Sequence, residues 1–117
     1  MPRKTTAADP KKRTAVVEEG VSISPMPVTM GEIVTVNYDG LLAQNGATSI
    51  YTHVGYGKND KWDYIEDIPM IKASEVWSCN ILPKDARINF CFHDGANHWD
   101  NNYERNWSLT VHDGEQI

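Results

Sequence analysis

The sequence predicts a single antiparallel β-sandwich domain of the all-β class. Short runs of β-branched and aromatic residues are separated by turn pairs such as Asp39-Gly40 and Asp94-Gly95. The runs recur at roughly 8 to 12 residues, and no segment shows the 3.6-residue period of an amphipathic helix, which together favour a sandwich. At 117 residues, the chain is long enough for one hydrophobic core and too short for two.

The N-terminal segment has a different composition from the rest of the chain. Residues 1–19 are rich in Thr, Ala, Lys and Pro and hold hardly any large apolar side chain, so they cannot bury enough surface to become ordered. Residues 1–18 carry five basic and two acidic residues, a net charge of +3, which leaves −8 for the rest of the chain. We therefore expect a disordered or poorly ordered polar tail over residues 1–19, solvated rather than tethering, and a sandwich over residues 20–117.

The N-terminal half of the domain predicts three strands. Residues 21–24 alternate apolar and polar side chains, but Pro25 and Pro27 interrupt them, a pattern typical of a short edge strand. Residues 32–38 are β-branched and aromatic over strand length. Residues 48–55 form a third run, after which glycines release the backbone into a loop.

The C-terminal half predicts three more strands. A short connecting segment at residues 64–70 leads to a strand over 75–82. A proline-containing turn follows, and residues 87–92 alternate again, so we expect these two strands to form a hairpin. A polar loop over residues 93–105 precedes the last strand, residues 106–112.

The four tryptophans divide into two pairs. Trp77 and Trp107 lie inside alternating strands, a position that predicts burial in the core. Trp62 and Trp99 lie in polar, glycine-containing loops, where a large ring is difficult to bury and is instead available to a ligand. His53 lies near the end of its strand, so His53, Trp62 and Trp99 are candidates for one common surface.

The most informative segment is residues 89–102. A strand ends at Asp94-Gly95, a loop presents Trp99, and Asp100, Asn101 and Asn102 follow directly. A pyranose has an apolar C–H face that stacks on an aromatic ring and a rim of hydroxyls that need hydrogen-bond partners. The segment therefore predicts a sugar-binding surface, although for Asp100 we expect a structural role in the turn.

The order of these residues resembles a known family. The features that carry the resemblance are His53 and Gly55, loop Trp62, Met70, Trp77, Pro83, the runs Phe-Cys-Phe-His-Asp-Gly and Trp-Asp-Asn-Asn, and Trp107. With these features, residues 20–112 resemble the starch-binding carbohydrate-binding modules of families 25 and 53. The resemblance implies an immunoglobulin-like sandwich that binds α-1,4-glucan polysaccharides or maltooligosaccharides. Carried onto matching positions, it implies a platform of His53, Trp62 and Trp99, with Asn101 or Asn102 bonding to hydroxyls. It implies no cofactor and no catalysis, and it allows either a domain acting alone or one attached to a longer starch-active protein.

Other functions receive less support. A protein-interaction sandwich is the alternative, with the same aromatic side chains buried against a partner protein. His93, Asp94, His98 and Asp100 are close in sequence but lack a recognised ligand spacing, so we expect no metal site. The chain has no nucleophile elbow or phosphate loop, and a lone small sandwich offers little cleft for paired carboxylates, so we expect no enzyme activity.

Charge and hydropathy exclude further classes of partner. The net charge of −5 argues against nucleic acid, whose binding depends on neutralising phosphates. No apolar stretch approaches the roughly 20 residues that span a bilayer, and the lack of a secretory signal favours a cytoplasmic location. Cys79 and Cys91 lie in neighbouring predicted strands and could face each other or pack as small apolar residues, and we prefer the reduced state.

Overall fold

A computed structural model of the protein describes residues 13–113, with side chains described from Val17 onward. Within this part, the chain forms two antiparallel sheets and one short helix, with these bounds: β1 Arg13–Glu18, β2 Val21–Met26, β3 Val34–Tyr38, α1 Leu41–Gln44, β4 Tyr51–Lys58, β5 Lys61–Pro69, β6 Ile71–Ala73, β7 Val76–Ile81, β8 Arg87–His93, β9 Trp99–Asp100 and β10 Trp107–Thr110. The helix is far too short to cross a membrane, and no other helix lies in the described part.

The two sheets have five strands each. The first runs in the order β1-β2-β3-β7-β6, and the second in the order β9-β8-β4-β5, with β10 also pairing with β8. The predicted all-β antiparallel sandwich is confirmed. Strands β4 and β8 lie in the middle of the second sheet, so side chains on their outer face are flanked by neighbours on both sides.

The core lies between the sheets and is built by alternating side chains. On β3, Val34, Val36 and Tyr38 are buried, while the residues between them are partly exposed. Trp77 and Trp107 are also buried, Trp107 to 1% exposure, which confirms their predicted place in the core. The remaining large contributors come from the other strands and their connections: Val21, Ile23, Val28, Ile50, Val54, Tyr56, Ile81, Ile88, Phe90 and Phe92.

The predicted hairpin between residues 75–82 and 87–92 is wrong. Strand β7 pairs with β3 and β6 in the first sheet, whereas β8 pairs with β4, β9 and β10 in the second. The segment between them crosses from one sheet to the other. Both strands are apolar on the face that points into the core. That face is buried in either sheet, so apolar alternation does not distinguish a hairpin from two strands in different sheets.

Strand β2 is not an edge strand, because β1 pairs along its outer side. The register of this pair shifts between Arg13 and Ala15, and Pro25 has no partner residue in either neighbour. A bulge tolerates proline because the extra residue makes no ladder hydrogen bond. Strand β1 also lies within the segment predicted from composition to be a poorly ordered tail. Residues 1–12 of the predicted tail lie outside the described residues.

Two further segments differ from the prediction. Residues 61–69, expected to be a loop and a short connection, form the nine-residue strand β5. Strand β4 continues past Gly55 to Lys58 through a register shift between Val54 and Tyr56. Strand β5 was hidden because most of its side chains are exposed, so it has no apolar alternation to detect.

The two cysteines are free and buried. Cys79 contacts the Thr52 hydroxyl oxygen at 3.3 Å in the core, whereas Cys91 lies on the other face of the second sheet. Burial raises the pKa of both thiols, that of Cys91 to about 12. Both are therefore protonated and unreactive at neutral pH.

Candidate functional site

The outer face of the second sheet gathers polar and aromatic side chains. Tyr51, His53 and Gly55 are two residues apart on β4, so all three point away from the core. His53 lies directly opposite Cys91 on one side and Asp67 on the other. Because residues opposite one another in a sheet share a face, the strand register places this row on the surface.

Trp62 is held against this row by a glycine. A Cβ atom built on Gly55 would lie 2.7 Å from Cε3 of Trp62 and 2.8 Å from its Cβ, closer than real contacts permit. The indole Nε1 donates a hydrogen bond to the carbonyl oxygen of Asn59 at 2.8 Å. Asn59 also joins this turn to the loop between β9 and β10, since its side-chain amide donates to the carbonyl of Arg105. The ring is thus fixed in place before any ligand arrives.

Replacing Gly55 by alanine is expected to displace the Trp62 ring. The added methyl group meets the ring and its Cβ, so the indole must move. We expect the affinity for the maltooligosaccharides that the family resemblance implies to fall by roughly tenfold, as for the partial loss of one stacking ring, while the domain remains folded. Titration of tryptophan fluorescence measures this, and Gly46→Ala is the matched control because its Cβ would meet nothing within 4 Å. Gly46 has a positive φ, so its variant also reports the cost of backbone strain alone. Unchanged affinity in Gly55→Ala would contradict this role.

Trp99 stands on the other side of His53. Strand β9 pairs with the end of β8, with Trp99 opposite His93, and the ring centroids of these two residues are 4.5 Å apart. Trp99 is 47% exposed. The next residue, Asp100, is buried and accepts hydrogen bonds from the Tyr38 hydroxyl and the Asn102 N–H, which anchors β9 to the core. Burial and the bond to Asp100 raise the pKa of Tyr38, so its hydroxyl stays a donor.

The structure brings His53, Trp62, Trp99 and Asn101 to one open groove of about 390 Å³. The His53 ring centroid lies 5.7 Å from Trp62 and 5.1 Å from Trp99. The His53 plane is tilted 34° from Trp62 but lies at 90° to Trp99, so the two indole planes are strongly inclined to each other. The Oδ1 atom of Asn101 accepts the Glu104 N–H at 2.9 Å, which leaves its amide nitrogen as a donor.

Asn102 is not part of this groove. It is 1% exposed, and its amide nitrogen donates to Glu18 and to the carbonyl of Asn106. Its Oδ1 atom accepts a hydrogen bond from Arg105. The expectation that Asn102 bonds to sugar hydroxyls is therefore corrected. The side chain instead fixes the turn after Trp99. A buried amide is tolerated when both its nitrogen and its oxygen are hydrogen-bonded, as they are in Asn102.

Beneath the rings, two histidines share one carboxylate. The Oδ1 atom of Asp67 lies 2.7 Å from Nδ1 of His53 and 2.9 Å from Nε2 of His93. Burial acts to raise the pKa of Asp67, but the hydrogen bonds and charges of His53 and His93 outweigh it, so the pKa lies below its usual value. Each histidine is thereby oriented by a carboxylate behind it.

Among the described residues, these three also form a group that could hold a metal ion. Their ligand atoms all lie within 4.8 Å of one another, and two imidazoles with a carboxylate suit zinc. The four residues weighed for metal from the sequence do not meet as one set of ligands. His93 bonds to Asp67, His98 pairs with Asp94 at 2.7 Å, and Asp100 is bonded to Tyr38.

Replacing Asp67 by asparagine is expected to remove a pH-dependent contribution to stability. The pKa of Asp67 is lower in the folded state than in the unfolded state. The carboxylate therefore contributes its full stabilisation above the unfolded-state pKa, and this contribution is lost as the pH falls through the folded-state pKa. The side chain is about half exposed, so the contribution should be at most about 1 kcal/mol. Denaturant unfolding from neutral to acid pH measures it.

The free energies of unfolding of Asp67→Asn and the native domain should differ at neutral pH and converge in acid. Asp63→Asn, an exposed carboxylate on the same strand, is the control and should differ little at any pH. An Asp67 variant whose difference from the native domain stays constant across the titration would contradict this role.

Three residues of this surface were missed from the sequence. Asp67 was missed because β5 was not recognised as a strand, and the packing role of Gly55 depends on contact with Trp62. The third is His93, which stacks on Tyr51 and contacts Trp99 with its ring tilted by 35°. The place of Gly55 on this surface could have been predicted, because Tyr51, His53 and Gly55 are two residues apart and such residues share a face of a strand.

Comparisons with known proteins find similarity to carbohydrate-binding modules. The family described as starch/carbohydrate-binding module (family 53) matches residues 34–90. An α-amylase of Clostridium acetobutylicum is 34% identical over 84 residues, which cover 69% of this chain and 10% of that protein. The solved structure of an iodinated CBM25 from a Bacillus halodurans amylase matches at 20% identity and a TM-score of 0.48, covering 69% of this chain and 85% of that one.

The family match confirms the resemblance to starch-binding carbohydrate-binding modules. The matched range contains His53 and Trp62, whereas Trp99 and Asn101 lie beyond it and join the groove through the fold. The chain spans about a tenth of the length of the α-amylase that it matches.

Proposed function

We propose that this domain binds chains of α-1,4-linked glucose, as in starch or glycogen, without catalysing a reaction. The observation that carries the proposal is the meeting of His53, Trp62 and Trp99 on one open groove. The family description and the similarity to an α-amylase support starch as the polymer.

Stacking supplies the affinity in this proposal. Trp62 and Trp99 cover neighbouring glucose rings, and both are already held in place, so little side-chain entropy is lost on binding. Covering about 100 Å² of sugar face per ring gives roughly 2 to 3 kcal/mol before the cost of association. A short oligosaccharide should therefore bind in the micromolar to millimolar range.

The inclination of the two indole planes supports an α-linked polymer. An α-1,4-glucan curves, so successive glucose faces turn relative to one another. A β-1,4-glucan such as cellulose is a flat ribbon and is better matched by aromatic rings in one plane. Rings at a steep angle on either side of His53 suit the curved chain.

Two polar groups supply hydrogen bonds to the hydroxyls. His53 uses Nδ1 toward Asp67, which leaves Nε2 as its polar atom for the ligand. Asn101 uses Oδ1 within its own turn, which leaves its amide N–H groups as donors. His53 and Asn101 are thus two of the hydrogen-bonding side chains that line the groove.

The groove is ill suited to hydrolysis. Among the residues that line it, Asp60 supplies the carboxylate. Glycoside hydrolysis by the usual mechanisms uses two carboxyl groups on opposite sides of the scissile bond. The domain would therefore act by attachment, and joined to a larger starch-active protein it would raise the local concentration of that protein at the polymer.

Affinity electrophoresis tests the proposal. Migration of the domain should be retarded in gels containing amylopectin or glycogen and unchanged in gels containing soluble cellulose derivatives or mixed-linkage β-glucan. Soluble maltooligosaccharides should alter its tryptophan fluorescence. If no glucan retards the domain and no oligosaccharide alters the fluorescence, the proposal fails, and the exposed aromatic side chains are left for a protein partner.

A further inference from the structure

A second groove adjoins the first at Trp99. Its volume is about 430 Å³, and Leu41, Gln44 and Tyr103 stand around it. Trp99 and Asn101 line both grooves. The two grooves therefore adjoin at Trp99 and Asn101, so a chain lying over Trp99 contacts a wall of each.

The walls of this groove have the chemistry of a sugar site. Tyr103 is 78% exposed and Leu41 is 55% exposed, a large apolar area for side chains that usually avoid water. Gln44 and Asp39 provide an amide and a carboxylate beside them, joined by a hydrogen bond of 3.0 Å. Apolar faces next to amide and carboxylate groups are what the C–H face and hydroxyl rim of a pyranose require.

The turn that carries Tyr103 is held in an unusual conformation. Asn102, Tyr103 and Glu104 have φ values of 57°, 57° and 72°, a left-handed region that residues other than glycine rarely adopt. The buried amide of Asn102 holds this turn through Glu18 and Asn106. Such strain persists where the surroundings fix it, and it is common at ligand clamps. Here it has the effect of holding Tyr103 in solvent.

The other wall is fixed as well. Leu41 begins α1, and the N–H of the next residue, Leu42, donates to the hydroxyl of Tyr38 at 3.0 Å, while the Leu42 side chain is buried. Tyr38 in turn bonds to Asp100, the residue after Trp99. The apolar side chains on both sides of the groove are thus tied to the same core as Trp99.

We propose that this second groove is an extension subsite, which takes further glucose units of the same α-glucan chain that lies on Trp62 and Trp99. The inference rests on the proposed function. The occupant is the continuation of that chain because the two grooves share Trp99 and Asn101. The carboxylates of Glu19 and Asp39 at its edge favour a neutral ligand over an acidic one. Tyr103 and Leu41 then set how affinity grows with chain length.

Isothermal titration with maltotriose, maltopentaose and maltoheptaose tests the subsite. For the native domain, affinity should rise by roughly tenfold from the shortest to the longest sugar, as for one added stacking contact. Tyr103→Ala should bind maltotriose as the native domain does and lose most of that rise, whereas Tyr103→Phe should keep it. Tyr64→Ala, which removes a ring that is 67% exposed on β5 outside both grooves, is the matched control and should behave as the native domain.

The outcomes separate the two proposals. If the native domain binds none of the three sugars, the proposed function itself fails and the subsite fails with it. If it binds them, the subsite is overturned by a native affinity that does not rise with length, or by a Tyr103→Ala variant that keeps the rise. An equal loss for all three sugars also overturns it, because Tyr103 would then act on the first groove. Circular dichroism of each variant confirms that the comparison is between folded domains.

Discussion

Trp99→Ala is expected to weaken maltooligosaccharide binding by roughly tenfold to a hundredfold, equivalent to about 1 to 3 kcal/mol, as for other ligands stacked on a single aromatic ring. Trp99 is half exposed and lines both grooves, so its loss removes the surface on which they meet. Trp62→Ala should have an effect of similar size. Affinity electrophoresis in amylopectin and calorimetry with maltoheptaose measure both.

The fold should survive these changes. Neither Trp62 nor Trp99 belongs to the hydrophobic core, so removing either ring should cost less stability than removing a core ring. Tyr64→Ala controls for the loss of an exposed aromatic ring outside the grooves. If a folded Trp62→Ala, Trp99→Ala double variant is retarded by amylopectin as strongly as the native domain, the two rings are not the binding surface.

Trp107→Ala is expected to have the largest effect on stability. The ring is 1% exposed, stacks on Phe90 with centroids 6.1 Å apart, and meets Phe92 edge-on at 5.2 Å. Removing a buried tryptophan costs about 3 to 5 kcal/mol through lost burial and the cavity left behind. Since small domains are stable by about 5 to 15 kcal/mol in total, this loss should leave the variant marginally folded or unfolded.

Trp107→Phe is a milder change at the same position. The indole Nε1 donates to the carbonyl of Glu18 at 3.1 Å, so phenylalanine keeps an aromatic ring but loses that bond. The free energy of unfolding of Trp107→Phe should lie between that of the native domain and that of Trp107→Ala. Chemical denaturation measures the series, and Trp99→Ala provides the opposite case of lost binding with little lost stability. A Trp107→Ala variant as stable as the native domain would contradict the core assignment.

The sequence was informative wherever local pattern and tertiary environment agree. Alternation of apolar residues marked β3, β7, β8 and β10, and it separated the core Trp77 and Trp107 from the exposed Trp99. A loop rich in glycine and asparagine around a tryptophan also predicted an exposed ring correctly, because such loops have too few apolar neighbours to bury it.

Pairing between strands was not predictable in the same way. Strands β7 and β8 are adjacent along the chain and both alternate, yet they lie in different sheets. A one-sided apolar strand specifies which face is buried but not which neighbour provides its hydrogen bonds. Strand β5 escaped detection for the opposite reason, since its exposed side chains carry no apolar pattern and its main-chain pairing with β4 alone defines it.

By itself, the sequence determined the class of fold, the division of the tryptophans and the family resemblance, because these depend on residue type and spacing. Tertiary structure alone decided that Asp67 stands behind His53 and His93, that Gly55 supports Trp62, and that Asn102 is buried while its neighbour Tyr103 is exposed. These relations join residues from separate strands and turns, so they follow from strand register and turn geometry, which residue types do not encode locally.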